Sequence, residues 1–253
     1  MSIVYFIGAG PGDPELVTVK GQRLIKEADL VLYAGSLVPK AVVACAKEGA
    51  RVKDSAPLNL EETHALMVET AKAGGTVARV HTGDPALYGA TREQMELLDR
   101  DGVNYEVIPG VTAGFAAAAS ACRSFTVPEV TQTVIFTRLA GKTPVPEAER
   151  LRKLASHGSA MCIYLSAGYP EGIQTELLAG GLATTTLIVL AYRVGWPEEK
   201  VVTTDLGHLA ETARHNDFTR QTVFLVMPGQ GVEDAGTAKS LLYDKDFKHM
   251  YRK

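Results

Sequence analysis

The sequence predicts an α/β protein built from two α/β domains with mixed, mainly parallel sheets. Three observations carry this. Short apolar runs rich in β-branched and aromatic residues alternate with stretches of helical period. The apolar runs tend to close on glycine, where a strand gives way to a turn. The chain has 253 residues, enough for two domains of about 100–150 residues each, and its pattern breaks once near the middle.

In the first half, IVYFIG (3–8), DLVLYAG (29–35), TVARVHTG (76–83) and NYEVIPG (104–110) are expected to be strands. Between them, 17–28 places Val19, Leu24 and Ile25 on one side of a helix, and 91–102 sets Met95, Leu97 and Leu98 amid charges. The helix over 59–75 opens on Asn59, a good N-cap, and closes on Gly74–Gly75. Strand and helix in alternation imply parallel strands covered on both faces. The alanine-rich stretch 111–122 has almost no polar surface and is expected to be a buried helix.

The stretch 123–132 lacks periodicity, carries Pro128 and is expected to link the domains, giving boundaries of 1–122 and 123–253. A second series of strands follows at 133–138, 159–168, 185–195, 201–206 and 221–229. The close succession of 185–195 and 201–206 points to some antiparallel pairing. The polar tail after Pro228 is expected to be an extended appendage.

Composition excludes several classes of function. A formal charge of −3 gives no general basic surface for nucleic acid, so local Arg and Lys must meet any anionic ligand. Cys45, Cys122 and Cys162 are far apart and form no C-x-x-C, so neither a disulfide framework nor a zinc site is expected. The six histidines (64, 81, 157, 208, 215, 249) show no H-x-x-x-H spacing, and no metal is expected. No cationic stretch precedes the first apolar run, and no apolar run approaches the roughly 20 residues of a bilayer span. The expected location is the reducing cytoplasm, with no nucleic-acid or membrane partner.

The stretch IGAGPGDPELVTVKG (7–21) invites a dinucleotide reading and fails it. Gly8 and Gly10 fit G-x-G-x-x-G, but the third glycine position is Asp13. Pro11 and Pro14 remove two N–H donors, Asp13 and Glu15 repel phosphate, and the second strand ends without an acid for a ribose. HTGDPALYG (81–89) repeats Gly-Asp-Pro after another strand. Loops that follow parallel strands share one sheet edge, so the two can line one crevice. Carboxylates with little phosphate-binding capacity suit a cationic ligand lacking phosphate, and S-adenosylmethionine is one.

These loops, with YAGSLV (33–38) and IPGVTA (108–113), occur in order, and the chain resembles the tetrapyrrole methylases of cobalamin and sirohaem synthesis over nearly its whole length. The resemblance implies the class III methyltransferase fold, S-adenosylmethionine in a trough between two domains, and a homodimer. It places Pro11 on the cofactor floor, Thr82, Gly83 and Asp84 at the methionine moiety, and Leu87 beside them. Thr112 and Ala113 face the cofactor, as does Leu165, for which core packing is the alternative. Gly195, with Ala191 and Tyr192, is placed near the adenine.

Within the family, uroporphyrinogen III methylases typically carry an Asp after the second-strand Tyr and a Lys–Arg pair after the third strand. Here those positions are Ala34 and about Asp54–Ser55. YAGSLV, DSAPLNLEE (54–62), RVHTGDPALYGA (79–90) and TQTVIFTRLAGKTPVPE (131–147) are instead similar to the branch that methylates C11 of precorrin-4. The expected substrate is a ring-contracted tetrapyrrole with several carboxylates, metal-free or cobalt-bearing. Arg138 and Lys142 are its expected partners, with Arg92 and Arg193 as further candidates. No general base is named, and Tyr33, Ser36 and Asp13 are only nearby polar groups. His81 is read as packing or a cap, and Glu61 and Glu62 as a solvated helix face. The alternatives are a sister methylase acting at C17, C20 or the C2/C7 pair, a uroporphyrinogen III methylase, a nicotinamide-dependent reductase, or a non-catalytic tetrapyrrole-binding module.

Overall fold

Alternation of apolar side chains to both faces builds the first sheet. In the computed structural model, which describes residues 2–231, 240, 247–248 and 250–252, the chain divides into two units. The first is Met1–Ala116 with Arg193–Glu198, and the second is Ala117–Tyr192 with Glu199–Lys253.

The first unit runs β1 (Ile3–Gly8), α1 (Val19–Glu27), β2 (Leu30–Tyr33), α2 (Lys40–Val43), β3 (Arg51–Asp54), α3 (Leu60–Lys72), β4 (Thr76–His81), α4 (Thr91–Asp101) and β5 (Tyr105–Ile108). Its strands lie in the order β3-β2-β4-β1-β5, and every pairing is parallel. Val4, Phe6, Leu30, Leu32 and Val77 pack on one face with Met67 and Leu98. Ile7, Val31, Ala78, Val80 and Ile108 pack on the other with Leu24 and Ile25. Two buried faces explain why these strands read as nearly continuous apolar runs. Asn59 caps α3 in a full capping box with Glu62, and Gly102 ends α4 in a left-handed turn. Strand β3 is an exposed, charged edge strand, so it carries no apolar signal in the sequence.

The division between the units falls within α5 (Ala113–Ser120). This helix is not buried all round as expected: Ala117 is fully buried, whereas Phe115 is 52% exposed. The second unit continues with β6 (Val134–Arg138), α6 (Leu151–Ala155), β7 (Ala160–Tyr164), α7 (Pro170–Ala179), β8 (Leu187–Tyr192), β9 (Lys200–Asp205), α8 (Leu209–His215) and β10 (Thr222–Met227). Its sheet order is β6-β7-β10-β8-β9. Only β6–β7 is parallel among the described pairings. The antiparallel pair expected from 185–195 and 201–206 is β8–β9, with Leu187 opposite Asp205 and Tyr192 opposite Lys200. Strand β10 enters antiparallel between β7 and β8, which the sequence did not signal. The stretch 123–132 folds on itself, Val127 pairing with Thr131, and Gln230 donates to the Ser124 carbonyl at 2.8 Å. Most of the polar tail, and His249 with it, lies outside the described residues.

Candidate functional site

Three loops of the first unit follow the adjacent strands β4, β1 and β5, and they are joined backbone to backbone. Ala9 N donates to the His81 carbonyl at 2.7 Å. Gly10 and Gly83 exchange both bonds, at 3.2 and 2.7 Å. Beneath this bridge, a Cβ on Gly8 would lie 2.6 Å from the Gly110 Cα, and one on Gly110 would lie 2.2 Å from the Gly83 carbonyl oxygen. Backbones this close admit no side chain. Gly83 itself sits at φ 60°, with the Thr112 Cα 3.7 Å from where its Cβ would stand. Thus Pro11, Thr82, Gly83, Asp84, Thr112 and Ala113 belong to one loop cluster of this unit.

Asp84 does more than form a turn. Its Oδ1 accepts from Ala86 N at 2.8 Å, and its Oδ2 accepts from Gly110 N at 2.9 Å, across to the β5 loop. A carboxylate has about four acceptor positions, so two bonds leave it capacity for a cationic group. Asp13 is settled as a cap: its Oδ1 accepts from Glu15 N at 2.8 Å at the start of the 3₁₀ turn Pro14–Leu16. The donors a pyrophosphate would need are mostly absent. Ala9, Gly10, Glu15 and Leu16 spend their N–H groups internally, and Pro11 and Pro14 have none. The loop after β1 is therefore not a dinucleotide loop.

A short return of the chain completes the cluster. Trp196 donates its indole N–H to the Pro11 carbonyl at 3.1 Å and lies under the Arg193 guanidinium, 4.4 Å from the ring centre. Gly195 packs so closely that a Cβ there would be 2.7 Å from Asp13 N. Arg193 also pairs with Glu198 at 3.3 Å, while its Nε is buried without a partner. Trp196→Phe removes the indole donor and is expected to destabilise the fold by about 1–2 kcal/mol. Urea unfolding followed by circular dichroism checks this; an unchanged midpoint would mean the latch holds nothing.

Other predicted residues fall differently. Leu87 is half-buried in the Asp84 loop, and Arg92 is exposed on α4 in an i,i+4 pair with Glu96 at 2.8 Å. Tyr33 is buried in the core. His81 is buried beside the Phe6 ring at 5.8 Å, its Nε2 lacks a partner, and burial together with the nearby Arg79 charge pushes its pKa down to about 3. It is a neutral packing residue at physiological pH.

In the second unit, Leu165 is 66% exposed at φ 54°, so core packing does not explain it. The turn is held by Ser166, whose Oγ donates to the Tyr164 carbonyl and accepts from Leu139 N. Arg138 donates to the carbonyls of Thr143 (3.1 Å) and Pro144 (2.6 Å), so its fork closes the loop it precedes. Those carbonyls engage part of its five N–H donors, so the fork braces its own loop and keeps donor capacity for a carboxylate. Lys142 is exposed within that loop. Ala191 is 1% exposed inside the sheet, and Tyr192 stacks on Phe218 at 5.5 Å. The Ala191 side chain is thus enclosed by the sheet, while Tyr192 is only partly buried against the core.

Residues 3–210 match the family model for Tetrapyrrole (Corrin/Porphyrin) Methylases. The chain belongs to the tetrapyrrole methylase family. Among relatives of this methylase, a cobalt-precorrin-4 C(11)-methyltransferase of Priestia megaterium is 46% identical over 99% of this chain and 97% of its own. A precorrin-4 C(11)-methyltransferase of Pseudomonas aeruginosa is 43% identical over 98% of both. An X-ray structure of a cobalt precorrin-4 methyltransferase, a cobalamin biosynthetic enzyme, superposes with a TM-score of 0.87 at 46% identity, covering 89% of this chain and 95% of that one. A uroporphyrin-III C-methyltransferase of Thermus thermophilus, complexed with S-adenosylhomocysteine, gives 0.71 at 29% identity, covering 88% and 96%.

Sequence reasoning missed the structural part that four residues of this methylase play. Asp54 accepts from Gly35 N (2.9 Å) and Ala56 N (2.8 Å), fixing the turn after β2. Trp196, Ser166 and Arg79 were likewise not singled out. Trp196 had one usable signal, being the chain's only tryptophan, next to a glycine.

Proposed function

We propose that this chain transfers the methyl group of S-adenosylmethionine to C11 of precorrin-4, metal-free or cobalt-bearing, giving the precorrin-5 stage of cobalamin biosynthesis. The observation that carries this reading is near full-length likeness to methyltransferases named for that reaction. The loop cluster of the first unit supports it: the loop after β1 spends most of its N–H donors internally, and Asp84 retains acceptor capacity for an ammonium or hydroxyl. Asp54 and Ser55, engaged with Gly35, Ala56 and Arg79, stand where a uroporphyrinogen III methylase typically has a basic pair, which disfavours that alternative.

S-adenosylmethionine, when bound, supplies a methyl group already activated by its sulfonium. The protein's task is to orient the donor against an electron-rich ring carbon and to exclude water, an effect worth about 7–11 kcal/mol of barrier. In this proposal Gly83 and Asp84 orient the methionine end, and Thr112 and Pro11 shape the floor beside them. On the second unit, Leu165 is a proposed cofactor contact, and Lys142, on the loop braced by Arg138, is a proposed partner of a substrate carboxylate. A ring-nitrogen lone pair drives bond formation, so no base is assigned. The proposal includes a cytoplasmic homodimer: the family resemblance supports the dimer, and unpaired Cys45, Cys122 and Cys162 suit a reducing compartment.

Incubation with carbon-13-methyl S-adenosylmethionine and precorrin-4, in metal-free and cobalt forms, is expected to place the label at C11 by NMR. Label at another carbon would reassign the chain to a sister methylase. Calorimetry is expected to show binding of S-adenosylhomocysteine and none of NAD, and the reverse would make the chain a reductase.

A further inference from the structure

Arg79 is a buried cation on β4, 8% exposed, three residues before Thr82. No carboxylate pairs with it among the described residues. Its Nε donates to Gln94 Oε1 at 2.9 Å, and one Nη donates to Ser55 Oγ at 2.9 Å and to the Leu32 carbonyl at 3.3 Å. Burial lowers its pKa to about 10, so it stays charged at neutral pH. A charge this costly to bury needs a compensating role. Its partners come from three separate segments: the end of β2, the residue after β3, and the first turn of α4. A planar fork suits joining them.

The branch through Gln94 reaches the cofactor loop. Gln94 is 4% exposed, and its Nε2 donates to the Ala90 carbonyl at 2.9 Å. Ala90 and Tyr88 are both left-handed, at φ 46° and 56°, a conformation that costs non-glycine residues energy. Between them, Gly89 sits so close to Pro85 that a Cβ would be 2.4 Å from its carbonyl oxygen. The far end of the Thr82–Ala90 loop is therefore strained and needs an outside hold. Its near end is held by the Gly10–Gly83 bridge and by Asp84.

We propose that Arg79 and Gln94 are positioning residues for the methyl donor, holding the Ala90 carbonyl so that the Thr82–Ala90 loop is preformed for the cofactor. This rests on the reading above that the loop binds S-adenosylmethionine. Neither side chain touches the reacting atoms; both act through the loop.

Two substitutions test it. Gln94→Glu keeps an acceptor for Arg79 and removes the donor to Ala90; Gln94→Met removes both. The Glu variant is expected to unfold near the wild-type midpoint. Its KM for S-adenosylmethionine is expected to rise about ten-fold, the size of one buried hydrogen bond, with kcat nearly unchanged. Calorimetric affinity for S-adenosylhomocysteine is expected to fall by the same factor. Gln94→Met is expected to lose affinity and stability together. A merely structural role predicts that Glu, having restored stability, restores KM as well. Wild-type KM and affinity in Gln94→Glu would overturn the proposal and leave the activity reading intact. Failure of both variants to fold also counts against it, since a brace acting on one loop leaves the unit folded. A wild-type protein that binds no S-adenosylhomocysteine would instead overturn the reading beneath it.

Discussion

Gly110→Ala is expected to destabilise the first unit by about 3 kcal/mol or more and to abolish measurable binding of S-adenosylhomocysteine. The added methyl would stand 2.2 Å from the Gly83 carbonyl oxygen and 2.7 Å from the Gly8 Cα. Both neighbours are backbone, so no rotamer change relieves the clash. To make room, the loops after β1, β4 and β5 must separate, and the Gly10–Gly83 bridge and the Asp84–Gly110 bond lie on that seam. Thermal unfolding and calorimetry read the two effects. Gly102→Ala is the comparison for backbone strain without a clash: Gly102 has positive φ, which Gly110 does not, and no heavy atom lies within 4 Å of its Cβ position. A Gly110→Ala protein no worse than Gly102→Ala would show that the junction is looser than the distances imply.

The first sheet was legible because its strands are buried on both faces and stop at glycines that the sheet edge requires. Strand β3 was not, since an exposed edge strand of sequence RVKD has no apolar pattern. The loop cluster was legible where one loop carries its own chemistry, as Gly-Asp-Pro does twice. What stayed hidden depends on partners far along the chain. Trp196 meets Pro11 from 185 residues away, and Arg79 meets Leu32, Ser55 and Gln94 from three other elements. Arg138 shows a further limit. A guanidinium beside a Gly-Lys-Thr-Pro loop reads as an anion receptor, yet part of its donor set also turns back onto the Thr143 and Pro144 carbonyls, a brace the sequence does not reveal. Leu165 is the opposite case, because sequence cannot separate a core leucine from one presented outward, and exposure of 66% decides it.

The division of labour at Asp84 predicts how two substitutions differ. Asp84→Ala leaves Gly110 N and Ala86 N without their side-chain acceptor, a loss of about 1–3 kcal/mol from the loop before any ligand is considered. If the free acceptor positions also receive the ammonium of the methyl donor, affinity is expected to fall by about ten- to a hundred-fold. Asp84→Asn separates the two roles. Its single amide oxygen can take one of the two backbone bonds, so about half of the stability is expected to return. The negative charge does not return, so affinity for S-adenosylhomocysteine is expected to stay near the Ala value. Urea unfolding and calorimetry on the same three proteins measure both quantities. Affinity recovering in step with stability would make Asp84 a loop brace only, and the ammonium would then need another partner in the loop cluster.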